Sequence, residues 1–325
     1  WKIGMMIQTE FTFPSALQGQ EIFAVSWRKG GGQYRGVVQI VHGMQEHIGR
    51  YAAFAVYLAE RGFVVYGSDH LGHGKSVRKE TDFGYFGSTD GWKNLLADLH
   101  TLMCRAKAEY PDLPYILIGH SMGSFLAREF AAVYGDTLDM AVFLGTRAGS
   151  CLLKPCIRSI EKKAEKRGRK TPATEWSRLA FGAYHRRIHP KRTNYDWLST
   201  VETEVDAFIL HPLCGRAFTY GGYRDLFTLL KRVSGMEWAY RLPKNLPILL
   251  ASGKGDPVGA YGKGVRRVAK WLLRADCRKV SVKLYAHLRH ELLHESRKEE
   301  IYTDLYQWMC RYLPQNQEKK KGLGR

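Results

Sequence analysis

The chain has 325 residues, with 50 Lys+Arg against 31 Asp+Glu, a net charge of +19, and 45% hydrophobic residues. That length can bury a core without disulfide or metal staples, and the composition excludes a disordered or fibrous chain. The charge would draw nucleic acid, anionic head groups or acidic substrates toward the surface. A solvated basic surface with no dedicated partner accounts for it more simply.

Six cysteines (104, 151, 156, 214, 277 and 310) are scattered without a CxxC pair or metal-ligand spacing. Free thiols in a reducing compartment are expected, and with them a cytoplasmic location. Only Cys151 and Cys156 are near enough in sequence to share an environment. No apolar run approaches the ~20 residues of a membrane span. The stretch Trp1 to Phe13 lacks the basic, apolar and small-residue order of a signal peptide.

In chain order, Gly36–Val41 reads as a buried strand ending in His42-Gly43-Met44. Tyr51 to Arg61 has helical spacing and stops at Gly62. Phe63–Tyr66 is the next strand, leading to Asp69. Asp90 to Tyr110 is a long amphipathic helix, with Asp90 as expected N-cap and Pro111 beyond its end. Tyr115–Ile118 is a strand running into Gly119, Phe125–Tyr134 a helix, and Met140–Leu144 another strand. This alternation predicts a mostly parallel sheet with helices on both faces.

The rhythm breaks after Gly145. Residues 150–242 are basic, aromatic and mostly helical in pattern, and include the charge run Glu161–Lys170. Strand patterns return at Pro247–Ala251 and Lys279–Tyr285, with helices at Val265–Leu273 and Glu299–Tyr312. The expected organisation is a core in two parts (1–148 and 243–314), a helical cap inserted at 149–242, and a frayed basic tail at 315–325.

Gly119-His120-Ser121-Met122-Gly123 carries the chemistry. A serine on a sharp strand-to-helix turn projects its Oγ above the sheet edge, and the flanking glycines admit the chain packed against it. The pattern alone is chance-prone. The strand before it and the helix after it supply the confirming context. A serine hydroxyl needs a base oriented by a carboxylate. In the α/β-hydrolase order of Ser, acid, His, Asp256 follows the Pro247–Ala251 strand and His290 lies beyond Lys279–Tyr285. Spacing favours His290 only modestly over His287. The oxyanion hole needs two backbone amides, expected from Met122 and from Met44 after the first buried strand. The segment His70-Leu71-Gly72-His73-Gly74-Lys75-Ser76 lacks P-loop spacing and reads as a structural loop.

Three segments together resemble the monoacylglycerol lipase and bacterial lysophospholipase group of α/β hydrolases, filed with the serine-aminopeptidase-like hydrolases. They are His42-Gly43-Met44-Gln45-Glu46-His47-Ile48-Gly49-Arg50-Tyr51, Asp69–Ser76 and Gly119–Gly123. The resemblance is strong over about residues 20–145 and good over 245–312. It implies the acid at Asp256 in Gly253-Lys254-Gly255-Asp256-Pro257-Val258. It implies the base at His290 in Arg289-His290-Glu291, and an oxyanion pair at Met44 and Met122. Gln45 departs from the small residue common at its position, and the cap is only weakly similar, apart from Leu213–Thr219.

The resemblance implies a carboxylic ester hydrolase working through an acyl-enzyme on a small single-chain lipid ester, such as a monoacylglycerol or lysophospholipid. No cofactor or metal is implied and nucleic acid is not an expected partner. The basic cap allows peripheral contact with an anionic membrane. Two competing readings stand beside it. One is a short-chain carboxylesterase, thioesterase or peptidase on the same scaffold. The other is a non-enzymatic basic module binding lipid or nucleic acid.

Overall fold

A computed structural model of the chain describes residues 4–314, so the tail at 315–325 lies outside the described residues. One eight-stranded sheet runs through it in the order β1-β2-β4-β3-β5-β6-β7-β8. The strands are β1 (Met6–Pro14), β2 (Glu21–Lys29), β3 (Gly36–Val41), β4 (Phe63–Ser68), β5 (Tyr115–His120), β6 (Met140–Leu144), β7 (Ile248–Gly253) and β8 (Val280–Tyr285). The first two pair antiparallel, β2 runs antiparallel to β4, and every later pairing is parallel. Strands β3 to β7 are buried at every position. That explains their continuous apolar runs, because a parallel sheet is covered on both faces.

Helices supply the covers. Phe54 and Leu58 of α1 (Ala52–Glu60) share one core with Ile301, Leu305 and Met309 of α10 (Lys298–Cys310). Leu95, Leu99 and Leu102 of α2 (Gly91–Glu109) pack on the other face. They meet Phe130 of α3 (Met122–Val133) and Val265 and Leu272 of α9 (Lys263–Arg274) there. Between β6 and β7 the chain leaves the sheet for five helices: α4 (Leu153–Arg167), α5 (Thr174–Phe181), α6 (Glu202–Leu210), α7 (Tyr220–Arg232) and α8 (Met236–Tyr240). None of the described helices is long and apolar enough to cross a membrane.

This insertion is tied down by charge buried under its two ends. Arg128 of α3 is fully buried and donates from Nη1 to the Arg147 carbonyl at 2.8 Å and from Nη2 to the Val233 carbonyl. Its guanidinium lies 4.3 Å from the Trp238 ring centroid. The neighbouring Glu129, also buried, pairs with Arg232 and Arg241.

Two expectations need correction, and one hairpin had no expectation. Asp90 stands before α2, but with φ +47° and no capping bond its carboxylate turns away to Lys93 at 2.9 Å and Arg224 at 3.3 Å. Helix α3 starts at Met122, directly on the serine, rather than at Phe125. The hairpin β1–β2 was not expected. Its outer strand exposes most of its residues, so its apolar periodicity is weak. Cys151 and Cys156 are both free thiols.

Candidate active site

Ser121 lies between β5 and α3 with φ 53° and ψ −120°, a region L-residues rarely occupy. Such strain persists only where packing enforces it. Here the backbone enforces it directly. A Cβ on Gly119 would come within 2.3 Å of the Gly123 carbonyl, and one on Gly123 within 2.1 Å of the Val41 carbonyl. The glycines around the serine are therefore required by β3 and by the first turn of α3. The Ser121 amide donates to the Leu144 carbonyl at 2.9 Å, which ties the turn to β6.

Asp256 and His290 come together from the loops after β7 and β8. His290 Nδ1 is 3.1 Å from Asp256 Oδ1, and both residues are buried. The contact is short but bent away from a straight N–H···O line, so Nδ1 counts as unpaired by strict geometry. The other Asp256 contacts are well formed: the Ser252 hydroxyl donates at 2.8 Å and the Val258 amide at 2.8 Å. Burial pushes the Asp256 pKa up, but the facing His290 and these donors outweigh it and hold the carboxyl below its usual range. His287 is exposed, with φ 65°, and makes no hydrogen bond or ion pair with Ser121 or Asp256 among the described residues. No direct hydrogen bond joins Ser121 Oγ to His290 among the described residues, although both line one cleft. Such bonds are often long before substrate binds.

The Met44 and Met122 side of the cleft rests on a buried ionic lattice. Glu46 accepts from the Gly43 amide at 2.6 Å, from the Tyr51 hydroxyl at 2.8 Å and from Arg50 at 2.8 Å, and faces His120 Nδ1 at 3.2 Å. Arg50 also grips Glu291 through two bonds of 2.6 and 2.7 Å. His120 Nε2 lies 3.3 Å from the His290 carbonyl. Burial alone would neutralise Glu46. Its hydrogen bond to His120 and the Arg50 charge reverse that and hold it well below the usual carboxylate range. His120 is discharged by burial but raised by Glu46, with the upward effect winning. One lattice thus fixes both the loop carrying Met44 and the loop carrying His290.

The His70–Ser76 loop buttresses the same region. The His70 amide donates to His42 Nε2 at 3.0 Å, and Asp69 accepts from the Ile48 and Lys75 amides at 2.7 Å each. Burial pushes His70 down to about 4 and His73 to about 3, so both are neutral supports.

A separate cluster, His47, His211 and Cys214, places three potential ligand atoms within 4.8 Å of one another. Both imidazoles accept a backbone N–H at Nδ1, from Gly49 and from Leu213, each at 3.2 Å. Their neutral forms therefore carry the proton on Nε2, and a metal bound at either nitrogen would have to displace that proton or the backbone bond.

The cleft joins Ser121, His290, Met44 and Met122 to a mostly apolar wall from the helical insertion, including Phe181, Trp197, Phe208, Leu226 and Phe227. About 760 Å³ lies between its walls, counted out to open solvent. Gln45 also lines it, with φ 61° and its carbonyl accepting from the Gly215 amide at 2.9 Å. Arg50, Tyr51 and Glu291 as supports, and the wall residues, are not marked as such by any sequence pattern. Glu46-Arg50 at i,i+4 was the only local hint.

A parallel sheet with a strained serine at a strand end, a buried Asp–His pair and an inserted helical lid over an apolar cleft define an α/β hydrolase. A family model described as serine aminopeptidase, S33, matches residues 32–297, and the chain belongs to that family. A monoacylglycerol lipase of Mycolicibacterium smegmatis is 27% identical over 284 residues, covering 86% of this chain and 89% of its own. The human monoglyceride lipase is 29% identical over 260 residues, covering 75% of this chain and 73% of its own. A thermostable carboxyl esterase from Bacillus coagulans, solved in complex with glycerol, superposes with a TM-score of 0.88. It is 29% identical, and the match covers 95% of this chain and 99% of that one. The chain is a carboxylic ester hydrolase.

Proposed function

We propose that the protein hydrolyses esters of single-chain lipids, as a monoacylglycerol lipase or lysophospholipase, through an acyl-enzyme on Ser121. The observation that carries this reading is the strained Ser121 in a cleft whose lining is mostly apolar. In the proposed reaction His290 takes the Ser121 proton as Oγ attacks the ester carbonyl carbon. Asp256 orients the imidazole and stabilises its charge. The Met44 and Met122 amides receive the developing oxyanion. The tetrahedral intermediate collapses, the C–O bond to the alcohol breaks, and His290 returns its proton to the leaving alkoxide. Water, deprotonated by the same ring, then releases the fatty acid and restores Ser121.

The names of the M. smegmatis and human relatives support the lipid reading. The Bacillus coagulans esterase favours a second one, a short-chain carboxylesterase. A series of p-nitrophenyl esters of rising acyl length separates them. Activity that rises into long chains is expected, because the apolar wall gains contact with each added methylene. A maximum at acetate or butyrate would overturn the lipid reading.

A further inference from the structure

Among the described residues, Arg147 is the cation of the cleft that no carboxylate neutralises. It follows β6 by three positions, at the carboxyl ends of the parallel strands where α/β folds bind ligands. It lines the cleft together with Ser121 and His290. The two acids on the same wall, Glu46 and Glu291, are already satisfied by Arg50. No carboxylate pairs with Arg147 among the described residues, and its Nε is buried with no hydrogen-bond partner. Its one side-chain hydrogen bond among the described residues runs from Nη1 to the Tyr184 hydroxyl, at 3.3 Å.

Of the Arg147 nitrogens only Nε is enclosed without an acceptor; Nη2, with no protein partner, is not enclosed, so a ligand in the cleft can supply its acceptor in place of water. Its backbone does not drift, because the Arg147 carbonyl is held by buried Arg128 at 2.8 Å. Tyr184 accepts from Arg147, which leaves the phenol proton free to donate to the same acceptor. The pair stands close to the reacting centre. The Tyr184 ring is 5.1 Å from Trp197, whose ring is 5.2 Å from His290.

We propose that Arg147 and Tyr184 form a recognition site for the phosphate of an acidic single-chain phospholipid, held across the glycerol from the scissile ester. This rests on the ester-hydrolase reading above and narrows it, from single-chain lipid esters in general to those with an anionic head group. Guanidinium suits the task because it presents parallel N–H donors to phosphate oxygens.

The test compares three esters of one acyl chain, short enough to stay monomeric: a monoacylglycerol, a lysophosphatidylcholine and a lysophosphatidic acid. Using monomers removes attraction to a charged lipid surface. The wild type should favour the acidic ester. Arg147→Met should lower kcat/KM for that ester by about 10- to 100-fold, the worth of a charge-assisted bond, through KM, and leave the monoacylglycerol within about twofold. Arg147→Lys should recover part of the loss, and Tyr184→Phe should show a smaller loss. An equal fall for all three esters would assign Arg147 a purely structural role and overturn the proposal. So would no change in any. Competition by free glycerol phosphate without preference for the acidic ester would also overturn it, leaving a site for a free phosphate. Loss of the ester-hydrolase reading itself would look different, with no ester turned over by the wild type.

Discussion

Arg50 holds Glu291 by two parallel bonds of 2.6 and 2.7 Å, in the position directly after His290. The same guanidinium reaches Glu46, which accepts from the Gly43 amide next to Met44. Two loops far apart in sequence are therefore set by one side chain.

Removing that side chain leaves two carboxylates buried without their cation. Arg50→Met should destabilise the protein by about 3–5 kcal/mol, the usual cost of breaking a buried pair from one side. Urea unfolding measures it. Arg50→Lys should lose less, yet still lower kcat on a soluble ester, because ammonium cannot reproduce the two-pronged grip on Glu291.

Gly123 is a second point where geometry leaves no slack. A methyl group there meets the Val41 and His42 carbonyls at 2.1 and 2.4 Å. Both are backbone atoms, so the strand or the helix must move. Gly123→Ala should abolish activity and lower the melting temperature by several degrees, as differential scanning calorimetry would show. Gly32→Ala, where nothing lies within 4 Å and φ is not positive, is the control for an added methyl that meets no neighbour.

The core side of the fold was legible because β3 to β7 are buried on both faces, which writes them as unbroken apolar runs. Ser121 and Asp256 could be picked out as candidates because they follow two of those runs, β5 and β7, whereas candidate His290 follows β8, which is partly exposed and less clearly marked. The lattice around Arg50 was not. Glu46 and Arg50 are four residues apart, but Glu291 joins them from 241 positions away, a pairing no local pattern encodes. The cleft wall was hidden for a related reason. Trp197 reaches His290 from an irregular segment between α5 and α6, where neither helical nor strand periodicity marks which side chain turns inward. Asp90 shows the converse error. It has the chemistry of a cap, but nearby Lys93 and Arg224 attract its carboxylate more strongly than the helix end does.

The buried histidines give the stability a pH dependence with a definite sign. His73 is held at about 3 by burial, against an unfolded value near 6.5. Between those limits the unfolded chain binds a proton that the folded chain refuses, so stability falls as pH drops below 6.5. His73→Phe keeps the stack on Phe86, now at 5.7 Å between ring centroids, and removes the titration. Wild-type stability should decline relative to the variant by up to about 1.4 kcal/mol per pH unit between pH 6 and 4. Parallel urea curves for the two proteins would not support the neutral, buried state of His73.

Ser121 as an activated nucleophile is the feature on which the proposed chemistry depends. Intact mass after treatment with a fluorophosphonate tests that most directly, in the wild type, in Ser121→Ala and in His290→Ala. One adduct on the wild type, none on Ser121→Ala and greatly slowed labelling of His290→Ala are expected. A folded wild type that takes no adduct, or a Ser121→Ala variant that still takes one, would contradict the assignment.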